Sequence, residues 1–88
     1  MLEKSVIILS TPTCIKCKSL VPKILEICES KGIPCNKLDA MSEGRELVKE
    51  LNILSVPTVV LYKSKDDLNP LVFTGDFDIQ SLSDSLNN

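Results

Sequence analysis

The sequence predicts an α/β domain with the element order βαβαββα, a mixed four-stranded sheet carrying helices on both faces. Three observations lead there. Val6-Ile7-Ile8-Leu9 and Val59-Val60-Leu61 are near-continuous apolar runs of strand length, rich in β-branched residues, as strands covered on both faces require. Between residues 14 and 31 the apolar positions recur at three- and four-residue spacing, and such a crossover helix forces the strands on either side of it to run parallel. Lys63-Ser64-Lys65-Asp66-Asp67-Leu68-Asn69 is a polar stretch between apolar runs, which reads as a hairpin loop and makes the last two strands antiparallel.

The elements follow in order. The first strand, β1, covers Ser5–Ser10 and is closed by Thr11-Pro12. Helix α1 runs from Cys14 to about Lys31, with Thr13 as its expected cap, Val21, Ile24, Leu25 and Cys28 as its apolar face and Gly32 as its stop. Pro22 lies inside this helix, where it removes a backbone hydrogen bond and is expected to bend the axis. Strand β2 covers Ile33–Asp39, and Pro34 fits a first residue or an edge position. Helix α2 is expected to start at a Ser42 cap, with Glu43 in its first turn, Leu47, Val48 and Leu51 on one face and an end near Asn52. Strands β3, Thr58–Tyr62, and β4, Leu71–Phe73, flank the polar loop. A last helix, α3, is capped by Asp78, presents Ile79, Leu82 and Leu86 to the core and frays at Asn87-Asn88.

Composition limits the function classes. The 88 residues are 43% hydrophobic and 25% charged, which is enough apolar material for one core and one domain over 1–88. Ten basic and twelve acidic residues are interspersed and leave a net charge of −2, so no basic stripe marks a nucleic-acid or anionic-lipid surface. The four-residue apolar run near the start lacks a cleavage-type pattern, so neither a signal peptide nor a membrane anchor is expected, and a cytoplasmic location is. The absence of His removes the commonest general base and metal ligand.

Chemistry concentrates in Cys14-Ile15-Lys16-Cys17. Cys14 stands where the chain leaves β1 and enters α1, beside unpaired backbone N–H groups and the positive end of the helix dipole, an environment that favours a thiolate. Cys17, one turn later, brings its sulfur to the same side within reach of a disulfide and leaves Cys14 the more exposed of the two. Lys16 and Lys18 add positive charge nearby. The pair supports a two-step exchange in which Cys14 attacks a disulfide and Cys17 resolves the mixed disulfide. A metal clip is the competing use. The spacing C-x2-C-x10-C-x6-C offers no second CxxC, and Cys28 lies roughly 20 Å from Cys14 along a helix, so such a site takes its remaining ligands from a partner or a second copy. Cys28 reads as a small buried hydrophobe. Cys35 reads as part of β2, with a Cys28–Cys35 bridge as the alternative, and neither is assigned to catalysis.

The CxxC followed by Lys18, Pro22 five residues beyond Cys17, and Ser55-Val56-Pro57-Thr58 heading β3 together resemble the thioredoxin-fold redox proteins, over essentially the whole chain. That resemblance implies the sheet order β2-β1-β3-β4 and a cis bond between Val56 and Pro57. It also implies catalytic Cys14 and Cys17, and a substrate surface of Val56, Pro57, Thr13 and Gly75. For Gly75 a plain turn before α3 is the alternative. It further implies no cofactor beyond a Cys14–Cys17 disulfide and no metal. The partners implied are disulfide-containing protein substrates and an upstream reductase such as thioredoxin reductase, for a monomeric protein. The departures are specific: Thr13 stands at the position of a Trp, Ile15-Lys16 replace Gly-Pro, and Ile8 replaces a buried Asp six residues before the first cysteine. The short length and the lack of an extra N-terminal strand are similar to glutaredoxins, but the Cys-Pro-Tyr-Cys core is absent and Thr74-Gly75-Asp76 echoes only part of their glutathione-binding glycines. The chain looks most like the small archaeal and bacterial thioredoxins of glutaredoxin size. The expected function is a thiol-disulfide oxidoreductase reducing protein disulfides. Its alternatives are a glutathione-linked glutaredoxin, an electron donor to ribonucleotide reductase, and a metal-binding or redox-sensing adaptor.

Overall fold

The structure, a computed structural model, describes residues 4–64, 69–74 and 79–86. Its elements are β1 (Ser5–Ser10), α1 (Ile15–Ser30), β2 (Cys35–Asp39), α2 (Arg45–Glu50), β3 (Thr58–Tyr62), β4 (Leu71–Thr74) and α3 (Ile79–Leu86). The sheet order is β2-β1-β3-β4, as expected. β1 pairs in parallel with β2, Val6 opposite Cys35, and antiparallel with β3, Val6 opposite Leu61; β4 returns antiparallel to β3.

Alternation along the strands sorts the core into two layers. Val6 and Ile8 of β1 and Val59 and Leu61 of β3 join Cys17, Val21, Ile24 and Cys28 of α1 and Leu82 and Leu86 of α3 in one buried cluster. Lys4 extends this seam, its Nζ donating to the Leu86 carbonyl at 2.9 Å, where a cation also meets the negative end of α3. On the opposite face Leu9 and Val60 are fully buried. The chain enters α2 against that face: a Cβ at Gly44 would stand 2.6 Å from Leu9 Cδ2 and 3.0 Å from the Asp39 carbonyl, so this crossing admits only glycine without rearrangement. Helices therefore cover both faces.

The starts of α1 and α2 differ from those expected. α1 begins at Ile15 with Cys14, not Thr13, as its N-cap. α2 begins at Arg45 behind Gly44, not at a Ser42 cap. The cause lies in Asp39, whose carboxylate accepts from Met41 N at 2.8 Å and whose carbonyl accepts from Ser42 N and Gly44 N at 3.1 and 2.8 Å. These bonds hold residues 39–44 in turns, and the Ser42 hydroxyl donates to the Glu43 carboxylate at 2.7 Å instead of capping. That bond and the N–H groups of Glu43 and Asp39 hold the Glu43 carboxyl below its ordinary value. No residue of α2 is buried; Leu47, Val48 and Leu51 are half-buried. Leu25 of α1, expected in the core, is 39% exposed.

The helix ends follow one rule. Gly32, with φ +67°, and Asn52, with φ +54°, take the left-handed conformation that terminates a helix. Gly32 N bonds Glu29 O and Ile33 N bonds Cys28 O after α1; Asn52 N bonds Lys49 O and Ile53 N bonds Val48 O after α2. Both are Schellman closures, which satisfy the last carbonyls and turn the chain back. After the first of them Pro34, lacking an N–H, stays outside the ladder and contributes only its carbonyl, which accepts from Val6 N at 2.9 Å; β2 thus starts at Cys35. The Asp78 cap, most of the hairpin loop (residues 65–68) and Gly75 lie outside the described residues.

Candidate redox site

Cys14 occupies the junction of β1 and α1 because Thr11-Pro12 end the strand and the Thr11 carbonyl accepts from Cys14 N at 3.2 Å, closing a turn. Cys14 then adopts extended dihedrals, φ −78° and ψ 110°, and its sulfur accepts from Cys17 N at 3.1 Å. A sulfur thus does the work that a hydroxyl or carboxylate oxygen does at most helix starts. One helical turn separates the two cysteines, their Cα atoms are 5.2 Å apart, and they are joined in a disulfide. Cys14 is half-buried and Cys17 only 4% exposed, so the first sulfur faces outward and the second lies beneath it in the cluster with Ile8 and Val21.

The pair opens into a cleft of about 320 Å³ lined by Ser10, Thr11, Pro12, Lys18, Val21, Pro22 and Lys37 besides the cysteines. Lys18 from α1 and Lys37 from β2 give this cleft a positive rim. Nothing in the sequence marks Lys37, Ser10 and Thr11 as site residues; only the pairing of β1 with β2, Ile8 opposite Lys37, brings Lys37 there. Pro22 lies within an unbroken α1 and forms part of the cleft wall. Ile15, beside Cys14, is 83% exposed.

Of the other expected site residues, Thr13 is exposed, Pro57 is buried, and Val56 is half-buried and packed on the same core cluster as Cys14. The Val56–Pro57 bond is cis. Val56 also lines a second cleft of about 220 Å³ with Thr11, Met41, Val48, Ile53 and Leu54. Thr11 borders both clefts, and Met41 and Leu54 are 75% and 97% exposed, so an apolar rim adjoins the cysteine pair.

The segment before β3 is held by a ring of hydroxyls. Thr58, fully buried, has a single hydroxyl proton, which goes to the Ser55 carbonyl at 2.7 Å; its oxygen lies 2.9 Å from Thr74 Oγ1, which is 3.1 Å from Ser55 Oγ. This ring anchors Ser55-Val56-Pro57 to β4. Replacing Thr58 by Val keeps the shape but leaves the Ser55 carbonyl without its donor. The change is expected to cost about 1–3 kcal/mol, read from the urea midpoint, with Thr58→Ser close to wild type.

Among the described residues no group of three or more His, Cys, Asp or Glu side chains is placed to hold a metal ion, and no helix is long and apolar enough to cross a membrane.

Comparison with known proteins agrees with this geometry. Thioredoxin f from spinach chloroplast superposes with a TM-score of 0.78 at 28% identity, covering 97% of this chain and 69% of that one. Thioredoxin 1 from Thermosipho africanus superposes with a TM-score of 0.80 over 94% of this chain and 90% of that one; at 20% identity it speaks for the fold alone. A chain named as a protein disulfide-isomerase in Schizosaccharomyces pombe is 29% identical over 72 residues, 82% of this chain, and the match spans only 15% of that longer protein. The sequence model of the thioredoxin family matches residues 2–88, and the chain belongs to the thioredoxin family.

Proposed function

We propose that this chain is a thiol-disulfide oxidoreductase that reduces protein disulfides through Cys14 and Cys17. The observation that carries the reading is the placement of two joined sulfurs at one helix start, the outer half-exposed at the mouth of a cleft and the inner 4% exposed beneath it. In the reduced protein the Cys14 thiolate attacks one sulfur of a substrate disulfide, forming a mixed disulfide and expelling the other substrate sulfur as a thiolate. Cys17 then attacks the Cys14 sulfur, regenerating the Cys14–Cys17 disulfide and releasing the second substrate thiol. Two electrons pass to the substrate, and no group beyond the two thiols is consumed. The Cys17 N–H, 3.1 Å from the Cys14 sulfur, is placed to stabilise charge on it.

Protein substrates fit the surroundings. The half-buried Val56 and the exposed Ile15, Met41 and Leu54 offer apolar contact, and Val56-Pro57 supplies the platform along which an extended segment lies. Exposed Thr13, next to Cys14, is assigned to this surface, and the family resemblance assigns Gly75 to it as well. An upstream reductase of the thioredoxin-reductase kind recharges the disulfide, and the chain acts as a cytoplasmic electron carrier.

The test uses Cys17→Ser, which can begin the exchange but not finish it. Mixed with oxidised insulin, it is expected to form a covalent adduct that dithiothreitol releases, while the Cys14→Ser/Cys17→Ser double variant forms none. Absence of adduct from folded Cys17→Ser would sink the proposal.

A further inference from the structure

The far end of α1 carries two more cysteines, brought together by the way the helix stops. Cys28 is the residue whose carbonyl accepts from Ile33 N at 2.9 Å in the Schellman closure, and Gly32, in the left-handed conformation, reverses the chain there. The reversed chain enters β2 at Cys35, whose side chain meets that of Cys28 in a hydrogen bond. Cys28 has no exposed surface, and Cys35 is half-buried. Both line a cleft of about 430 Å³ with Leu25, Glu29 and Ile33. Neither is in a disulfide in this structure. The bond from the Cys35 thiol lowers the Cys28 thiol below its ordinary value, and the same bond, burial and the charge of Cys28 push the Cys35 thiol up.

This pair is separate from the redox site. Cys28 comes fourteen positions after Cys14 along the helix, roughly 20 Å at the usual rise, so the two pairs cannot exchange within one chain. Access also differs. Cys28 is fully buried at the floor of its cleft, whose volume accommodates a small molecule.

We propose that Cys28 and Cys35 form a second redox pair, closed to a disulfide by a small disulfide of the glutathione class that enters the cleft between α1 and β2. Cys35, the accessible sulfur, gives up its proton to solvent and attacks the small disulfide. One equivalent of small thiolate leaves, and a mixed disulfide remains on Cys35. Cys28 then loses its proton to the departing thiolate or to solvent and attacks the Cys35 sulfur, expelling the second small thiol. Two protein thiols are oxidised to one disulfide and one small disulfide is reduced to two thiols. Closure ties the last turn of α1 to the first residue of β2 across the Gly32 turn.

The experiment uses the full chain, as wild type and as Cys14→Ser/Cys17→Ser, incubated folded with oxidised glutathione, quenched in acid, alkylated and digested with trypsin. Cleavage after Lys31 puts Cys28 on peptide 24–31 and Cys35 on peptide 32–37. In both proteins these peptides are expected to appear cross-linked, two hydrogens lighter than their sum, and at least tenfold faster in the folded than in the urea-unfolded chain. Cys35→Ser should lose the cross-link and keep Cys28 free for alkylation. Three results would overturn the proposal: both cysteines alkylated after oxidation of the folded chain, Cys35 accumulating as a glutathione adduct without closure, or closure no faster in the folded state. Because the double variant lacks the first pair, failure here is distinguishable from failure of the Cys14–Cys17 reading.

Discussion

Replacing Cys14 by Ser is expected to bring insulin-disulfide reduction down to the rate of the chemical reductant alone. A serine hydroxyl does not attack a disulfide sulfur under conditions where a thiolate does. No other thiol of α1 stands in for Cys14. Cys17 is 4% exposed beneath it, and Cys28 lies roughly 20 Å away along α1, buried at the far end of the helix. Nor is a fold defect the expected cause. Cys14 holds the α1 start with one bond from Cys17 N, which a serine oxygen can accept as well, so far-UV circular dichroism should stay that of wild type. The measurement is the onset and slope of turbidity as the reduced insulin chains precipitate. A Cys14→Ser variant as fast as wild type would contradict the assignment of the nucleophile.

The largest stability effect is expected at Ile8. This residue is fully buried in β1, the strand flanked by β2 and β3, and belongs to the cluster that contains Cys17, Val21 and Ile24. Ile8→Ala removes three carbons from a site closed on all sides, so a cavity remains along with the lost burial, and the expected cost is about 2–5 kcal/mol. Domains of this size have about 5–15 kcal/mol in all, so the urea midpoint should fall by a large fraction. Ile8→Val, which removes one carbon, is expected to cost about 0.5–1.5 kcal/mol. A loss below about 1 kcal/mol for Ile8→Ala would mean that the core beneath the cysteines collapses freely around the gap. Ile8 also stands where the family pattern has a buried carboxylate. The second thiol here rests on hydrocarbon, and its proton must leave without that carboxylate.

The strands were the most legible part of the chain. Val6-Ile7-Ile8-Leu9 and Thr58–Tyr62 are runs that only a doubly covered strand explains, and they lie adjacent in the sheet. Helix stops were legible too, because Gly32 and Asn52 are residue types that tolerate positive φ. The starts of α1 and α2 were not. Thr13 and Ser42 are favoured cap residues, but the Cys14 sulfur took the first position and the turns built on Asp39 displaced the second. Leu25 has the spacing of a core residue and sits on the flank of the apolar face, 39% exposed, since spacing alone does not say how wide the covered stripe is.

For the site, Cys14 and Cys17 were legible because local helix geometry decides their separation. The cis Val56–Pro57 bond was expected through the family resemblance alone, because an X-Pro pair by itself favours neither isomer strongly enough to read. Lys37 was out of reach, since its place beside the cysteines depends on strand register, a long-range property. The meeting of Cys28 and Cys35 is hidden in the sequence for the opposite reason: it depends on a local chain reversal whose direction only the Gly32 closure decides.

The most direct test is differential alkylation of the fully reduced, folded protein by a limiting amount of iodoacetamide, followed by peptide mapping. Label is expected first on Cys14, with Cys17, Cys28 and Cys35 unlabelled until Cys14 has been consumed; first label on Cys17 or Cys35, or label spread evenly over the four, would contradict the assignment.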